Sequence, residues 1–413
     1  MSVFSEFGLT MPRILLPQNQ IDPAKWAVVA CDQYTAQPQW WDEAERIVGD
    51  SPSTLRLIYP ECRMGQYPPD IERMHTTMRA YQKDVLTRAV EGFVLVERGT
   101  TCGNRLGLVV AMDLDRYDYE PGTTPLIRST EGTVADRLPP RMDIRRGAPL
   151  ELPHVMLLVD DPKSTLIEPL FALKSSLTAV YDCDLMLGGG HLRGWAIDNA
   201  EHFSMMHNAL TELLAASGGF LFAVGDGNHS LAAARGCWLE IKKTLSAAEA
   251  EHHPARFALV ELTNLYDLAL VFEPIHRAVF GTRADALRCA FSEYCLQHGM
   301  ALAECTGENA DLFIDGIPLQ IENPVNPLPV AIVQPFLDDW LSKHPDASID
   351  YIHGLDALNA LPACRIALTA MDKRDLFPSV KTGGALPRKT FSMGEACDKR
   401  YYFESRALEI CAK

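Results

Sequence analysis

The chain has 413 residues, 47% of them hydrophobic and 22% charged, enough apolar material for a substantial core and too much for intrinsic disorder. Its net charge of −16 opposes sequence-independent binding to nucleic acid, which draws its affinity from Lys and Arg on phosphate. No apolar run approaches the length needed to cross a bilayer, so no membrane partner is expected. Eleven cysteines without a Cys-x-x-Cys pair fit neither a disulfide framework nor a zinc ribbon, and read as reduced thiols. The N-terminus has no basic start followed by an apolar core, so a cytoplasmic location is expected.

In chain order, residues 1–150 predict an α+β region. Strands are expected at 26–31, 93–97 and 106–112, with helices at 38–48 and 70–91. Ile71, Met74, Met78, Tyr81 and Val85 form the stripe of one buried helix face. Residues 127–146 then pack five arginines, several hydroxyls and acids into a Gly- and Pro-broken stretch that no single regular element accommodates. Arg128 and Arg137 suit bidentate phosphate binding, Thr133 can donate to phosphate oxygens, and Glu131 or Asp136 can serve as base or metal ligand. A solvated surface loop of mutually paired charges explains the same composition.

Residues 151–275 alternate strand and helix and predict an α/β core: strands at 154–159, 177–186, 219–225 and 256–263, helices at 163–174, 199–216 and 228–244. Asp182 and Asp184 share one face of an extended segment and are candidate metal ligands. The Gly188–Gly190 run after them reads equally as a hairpin or as a phosphate cradle. His202 and His207 lie about 140° apart around their helix and do not ligate one metal together. The strongest signal is Gly225-Asp226-Gly227-Asn228-His229-Ser230, where an apolar strand turns into a helix. Main-chain donors of Gly225, Gly227 and Asn228 can wrap an anion, Asp226 can hold a metal, and His229 can act on a proton. An ordinary tight turn with a helix cap explains it as well.

Residues 276–413 are expected to form a looser C-terminal α+β region, with a helix at 283–298, strands within 310–322 and a helix at 333–343. His276 and Arg277, after a proline, can donate to an anionic substrate or simply belong to a core strand. Arg388 and Lys389 make a cationic spot suited to a phosphate or carboxylate, or a solvated basic loop.

Several of these segments carry a family resemblance. Gly225-Asp226-Gly227-Asn228-His229, Arg128-x-x-Glu131-x-Thr133 with Asp136-Arg137-Leu138, the Phe272–Phe280 segment and Pro387-Arg388-Lys389-Thr390 resemble recurring motifs of the DUF1015 family. Residues 25–34, the Glu151–His154 segment and the Gly188–Gly190 run extend the resemblance over nearly the whole chain. The turn is also similar to the Gly-x-His-Arg box of the ParB/sulfiredoxin-like fold, although Ser230 stands where those boxes place arginine. This implies a mixed α+β and α/β protein with a ParB/sulfiredoxin-like nucleotide-binding core and large N- and C-terminal elaborations. By analogy with the free-serine kinases of that fold, it implies a nucleotide-dependent phosphotransferase acting on a small hydroxylated or amino-acid-like metabolite. Mg²⁺ and a nucleoside triphosphate, ATP before CTP, are the implied cofactors. The alternative is a nucleotide- or metabolite-binding regulator with no or slow hydrolysis. A DNA-partition clamp is disfavoured by the acidic charge. Oligomeric state is not legible.

Overall fold

The computed structural model describes residues 3–64, 68–120 and 122–409. They fall into two compact units, one running to Leu270 and resuming at Gly394, the other spanning Val271–Met393.

The first unit is built on a mixed sheet of ten strands: β1 (Leu9–Thr10), β2 (Phe93–Thr100), β3 (Gly103–Asp113), β4 (Tyr117–Asp118), β5 (Ile127–Ser129), β6 (Met156–Val159), β7 (Ala179–Asp184), β8 (His191–Ile197), β9 (Phe222–Asp226) and β10 (Phe257–Asn264). Their order is β7-β8-β2-β3-β10-β6-β9-β5-β4, with β1 added beside β3. The β2–β3 hairpin shows why the sheet is covered on both faces. Phe93, Leu95, Leu108, Val110 and Met112 enter one apolar cluster, while Val94, Val96 and Val109 enter another. Side chains alternate across a strand, so a near-continuous apolar run needs cover above and below.

Helices α1 (Pro38–Val48), α2 (Ile71–Asp84), α3 (Leu138–Arg145), α4 (Ala200–Ser217) and α5 (Asn228–Lys242) supply part of that cover. Met206 and Leu210 of α4 and Leu231, Ala234 and Trp238 of α5 join the first cluster. Trp41, Ala44 and Val48 of α1, Met78 of α2, and Trp26, Tyr401 and Phe403 join the second. Helix α2 keeps the expected stripe but stops at Asp84, because residues Arg88–Glu91 form a strand paired with Arg13–Leu16. The strand expected at 26–31 shortens to Val28–Val29, paired with Tyr401–Tyr402, after a helical turn at Pro23–Trp26.

The second unit is a seven-stranded antiparallel sheet in which β11 (Phe272–Phe280) pairs with Ser348–His353, Cys364–Leu368 and Phe391–Met393. Its helices Ala284–Gln297 and Pro329–Lys343 pack through Phe291 and Phe336, ring centroids 4.8 Å apart.

These units divide the chain differently from the three regions read in the sequence. No break falls near residue 150, because β3 pairs with β10 along six residues and joins the first two regions in one sheet. Residues from Gly394 onward rejoin the first unit, so the third region is split as well. Arg400 is central to that return. It is 5% exposed, donates to Pro153 O (2.7 Å), pairs with Glu404 (2.5 Å), and forms an ion pair with Glu261. Removing one partner of a buried ion pair strands the other charge. Arg400→Ala should therefore cost about 3–5 kcal/mol, measured as a lowered urea midpoint for the first unit. An unchanged midpoint would show that the two carboxylates find another partner.

Candidate functional site

Strand β9 buries Phe222, Ala223 and Val224 in the sheet and then delivers Gly225 and Asp226 to its C-terminal end. The chain turns left-handed at Gly227 (φ 82°) and enters α5 at Asn228 with no side-chain cap. A Cβ at Gly227 would stand 3.0 Å from Val155 Cγ2 and 3.1 Å from Val155 Cα, so the close approach and the positive φ both require glycine. The first-turn N–H groups of Asn228, His229 and Ser230 have no intrahelical acceptor. Helix starts of this kind can receive an anion.

The arginine-rich stretch and this corner come together, as one strand pairing and three hydrogen bonds establish. Strand β5 runs parallel to β9, with Arg128 beside Ala223 and Ser129 beside Val224. The Ser129 hydroxyl lies 2.6 Å from Asn228 Oδ1 and 2.6 Å from Glu131 O. Thr130 Oγ1 donates to Val224 O at 2.6 Å, and the Val134 N–H donates to His229 Nε2 at 3.3 Å. The loop carrying Glu131 and Thr133 thus crosses the turn. Thr133 Oγ1 is buried without a hydrogen-bond partner among the described residues.

The charges at the corner are not the expected ones. Arg128 points back along its strand, its Nε donating to Pro125 O (3.1 Å) and its guanidinium 4.6 Å from the Phe220 ring centroid. Arg137 is exposed on the short turn Ala135–Arg137. Arg141, Arg145 and Arg146 are committed to Glu61, Glu151 and Glu240. The cation at the turn is instead Lys399, 13% exposed, whose Nζ lies 3.1 Å from Asp226 Oδ2. Asp226 Oδ1 accepts the Gly227 N–H at 2.8 Å. Burial pushes the Asp226 carboxyl up, but Lys399 and the Gly227 N–H outweigh it, and the net shift is downward.

Other candidates lie elsewhere. Asp182 and Asp184 do share a face, but they enclose His191, whose Nε2 and Nδ1 lie 2.6 and 2.7 Å from their carboxylates. Their hydrogen bonds raise the His191 pKa, and Arg193 Nε lies 3.4 Å from Asp182 Oδ2. They sit on the opposite edge of the sheet, six strand spacings from β9, roughly 29 Å along it. Among the described residues no group of three or more His, Cys, Asp or Glu side chains is arranged to hold a metal. The Gly188–Gly190 run belongs to the β7–β8 hairpin, and a Cβ at Gly190 would stand 2.3 Å from Gly99 O.

In the second unit His276 and Arg277 are buried in β11. His276 Nδ1 accepts the Leu368 N–H (3.2 Å), and Arg277 donates from Nε and Nη2 to Gln334 Oε1 (3.2 and 3.1 Å). Their core alternative is what the fold uses. Arg388 is exposed and pairs with Asp338 at 3.1 Å, and Lys389 is exposed at φ 59°.

Sequence reasoning missed Lys399, and gave His154 and Tyr402 no role. His154 Nδ1 lies 2.9 Å from the Tyr402 hydroxyl, beside the turn. The Glu151–His154 segment carried a family resemblance, but nothing local distinguishes Lys399 from any other lysine near a chain end.

Asp226 has a lowered pKa, so its pairing adds stability above the ordinary Asp range and loses it as pH falls through the lowered value. Lys399→Met should be less stable than the parent at neutral pH, with the difference narrowing below about pH 4 as Asp226 protonates. Urea unfolding across pH measures this, and a difference that ignores pH would remove the pair from the account.

The sequence matches the family model described as a protein of unknown function, DUF1015, over residues 15–324. No curated protein matches it. Among solved structures, the chain is similar to a free serine kinase (E30A mutant) in complex with AMP, with a TM-score of 0.39 and 12% identity over 73% of this chain and 92% of that one. It is also similar to a conserved hypothetical protein from Pyrococcus furiosus, with a TM-score of 0.36 and 12% identity over 72% and 94% of the two chains. A C-terminally truncated SbnI from Staphylococcus aureus aligns with a TM-score of 0.35 and 8% identity over 72% and 82%. With most of its length inside the family model, the chain belongs to the DUF1015 family.

Proposed function

We propose that the first unit is a nucleotide-dependent phosphotransferase acting on a small hydroxylated or amino-acid-like metabolite, with a ParB/sulfiredoxin-like nucleotide-binding core. The observation that carries this reading is the loop at 130–134 crossing an uncapped helix start beside a half-buried Lys399. Phosphoryl transfer needs positioned donors and cationic charge more than covalent participation by the protein. The α5 N–H groups cradle the phosphates and Lys399 supplies the charge assigned by sequence to Arg128 and Arg137. In the step itself, the acceptor oxygen bonds to the terminal phosphorus while the bond from that phosphorus to the bridging oxygen breaks. The nucleoside diphosphate leaves with the electron pair, and the acceptor's proton passes to Glu131 or His229.

Mg²⁺ typically uses one or two carboxylates, with phosphate oxygens and water completing its shell. Asp226 fits that single-carboxylate role, and the absence of a three-ligand cluster among the described residues is compatible with it. When bound, the ion would neutralise phosphate charge. One observation favours the alternative of binding without turnover: the Val134 N–H occupies the His229 Nε2 lone pair that a base would need.

A thermal-shift screen of ATP, CTP and ADP with and without Mg²⁺, followed by mass spectrometry of a metabolite pool, tests both readings. Mg²⁺–ATP should stabilise the protein, Lys399→Met should abolish the shift, and Glu131→Gln or His229→Ala should slow turnover by about 100-fold. A flat screen removes the nucleotide reading; stabilisation without any phosphorylated product leaves the regulator. Turnover intact in both variants would take the base role from Glu131 and His229.

A further inference from the structure

Two histidines flank the Gly225–Asn228 turn, and their hydrogen bonds put them in opposite tautomers. His154 stands just before β6, which pairs with β9 so that Met156 faces Asp226. This register places the His154 ring against the turn, with its Cδ2 3.4 Å from where a Gly227 Cβ would be. Nε2 is bonded to Cδ2 and shares that edge of the ring. The ring is half-buried and carries its other nitrogen, Nδ1, 2.9 Å from the Tyr402 hydroxyl.

The direction of that bond follows from a count of protons. Tyr402 is 2% exposed, and burial pushes its phenol well up, so it keeps its proton through the neutral range. Its oxygen accepts the Cys31 N–H at 3.2 Å. A phenol has one proton to give; the Cys31 thiol beside it is only a weak acceptor, so the proton goes to His154 Nδ1. A neutral imidazole that accepts at Nδ1 carries its hydrogen on Nε2. At His229 the logic runs the other way, since Nε2 accepts the Val134 N–H and the ring hydrogen belongs on Nδ1.

We propose that His154 is a binding residue for the anion received at the Gly225–His229 turn, presenting Nε2–H as a fixed donor, with Tyr402 as the positioning residue that locks this tautomer. The inference deepens the phosphate-binding part of the reading above and rests on it, but it needs only an anion, not a nucleotide. Lys399 brings full charge to the same corner, and His154 adds a directional donor that cannot approach a phosphoryl oxygen with the wrong atom. Asp226 and Glu61 both lie within electrostatic reach of the ring, so an incoming anion meets carboxylates as well as donors. A neutral donor fixed by Tyr402 is the arrangement that selects for an acceptor oxygen in such surroundings.

The test combines ring-nitrogen NMR of histidine-labelled full-length protein near pH 8 with titrations of inorganic phosphate, pyrophosphate, ATP and CTP. Expected are the Nε2–H pattern for His154, its loss of definition in Tyr402→Phe, a shift of Nε2 on adding pyrophosphate, and binding weakened about tenfold or more in His154→Ala. His154→Gln, which keeps an amide donor, should restore part of the loss. Should the alanine variant not fold, the tautomer and the pyrophosphate shift in the parent protein still decide. An Nδ1–H or doubly protonated ring overturns the proposal, as does pyrophosphate binding equally tight without His154. If nucleotides bind regardless of His154, the inference fails while the nucleotide reading stands. If phosphate and pyrophosphate bind through His154 but nucleotides do not, the reverse holds, and no anion binding at all removes both.

Discussion

Buried arginines that grip main-chain carbonyls hold the first unit in its working arrangement. Arg98 reaches the carbonyls of Gly189, Cys397 and Lys399, Arg105 that of Asp398, and Arg406 those of Pro254 and Phe257. Arg400 adds Pro153 and the carboxylates of Glu261 and Glu404. A guanidinium has five donors in a rigid fork, so a few of them fix an irregular segment that has little sheet pairing of its own. The segment so fixed carries Lys399 and Tyr402, and these two side chains supply the cation for Asp226 and the partner for His154. Burying such charges is expensive unless they are paired, which makes this a costly device for stability and an effective one for position.

That fastening also explains the chemistry available at the turn. A strand end, a glycine that must be left-handed and an uncapped helix provide a neutral cradle. Lys399 approaches it from one side and the 130–134 loop crosses the other. The arginines of residues 127–146, which look in composition like the phosphate grip, mostly neutralise glutamates on neighbouring elements. Their contribution is to seat α3 and the loop, and only indirectly to charge the site.

The sequence carried what local patterning can carry. The apolar runs at 93–97 and 106–112, helices α4 and α5, and the strand-to-helix turn at 222–229 all fall where alternation, periodicity and glycine placement put them. Residues 128–134 meet that turn through the parallel pairing of β5 with β9 and the hydrogen bonds of Ser129, Thr130 and Val134. Side-chain direction was not legible: Arg128 sits in the right strand, yet its guanidinium finds a carbonyl and an aromatic ring closer than the turn. Nor was the Asp182–His191–Asp184 arrangement, which needs the register of a hairpin, or the burial of His276 and Arg277, which needs the strands on either side. Lys399 is the clearest case. Its importance comes from tertiary placement by other residues, and no window around it holds that information.

A site whose anionic and cationic halves are separated so far along the chain imposes an order on its own assembly. Asp226 and the strands around it are synthesised well before residues 394–402, and until those residues emerge the carboxylate has Arg105 within electrostatic reach but not Lys399. The Asp226–Lys399 pair can therefore form only after residues 394–402 have left the ribosome.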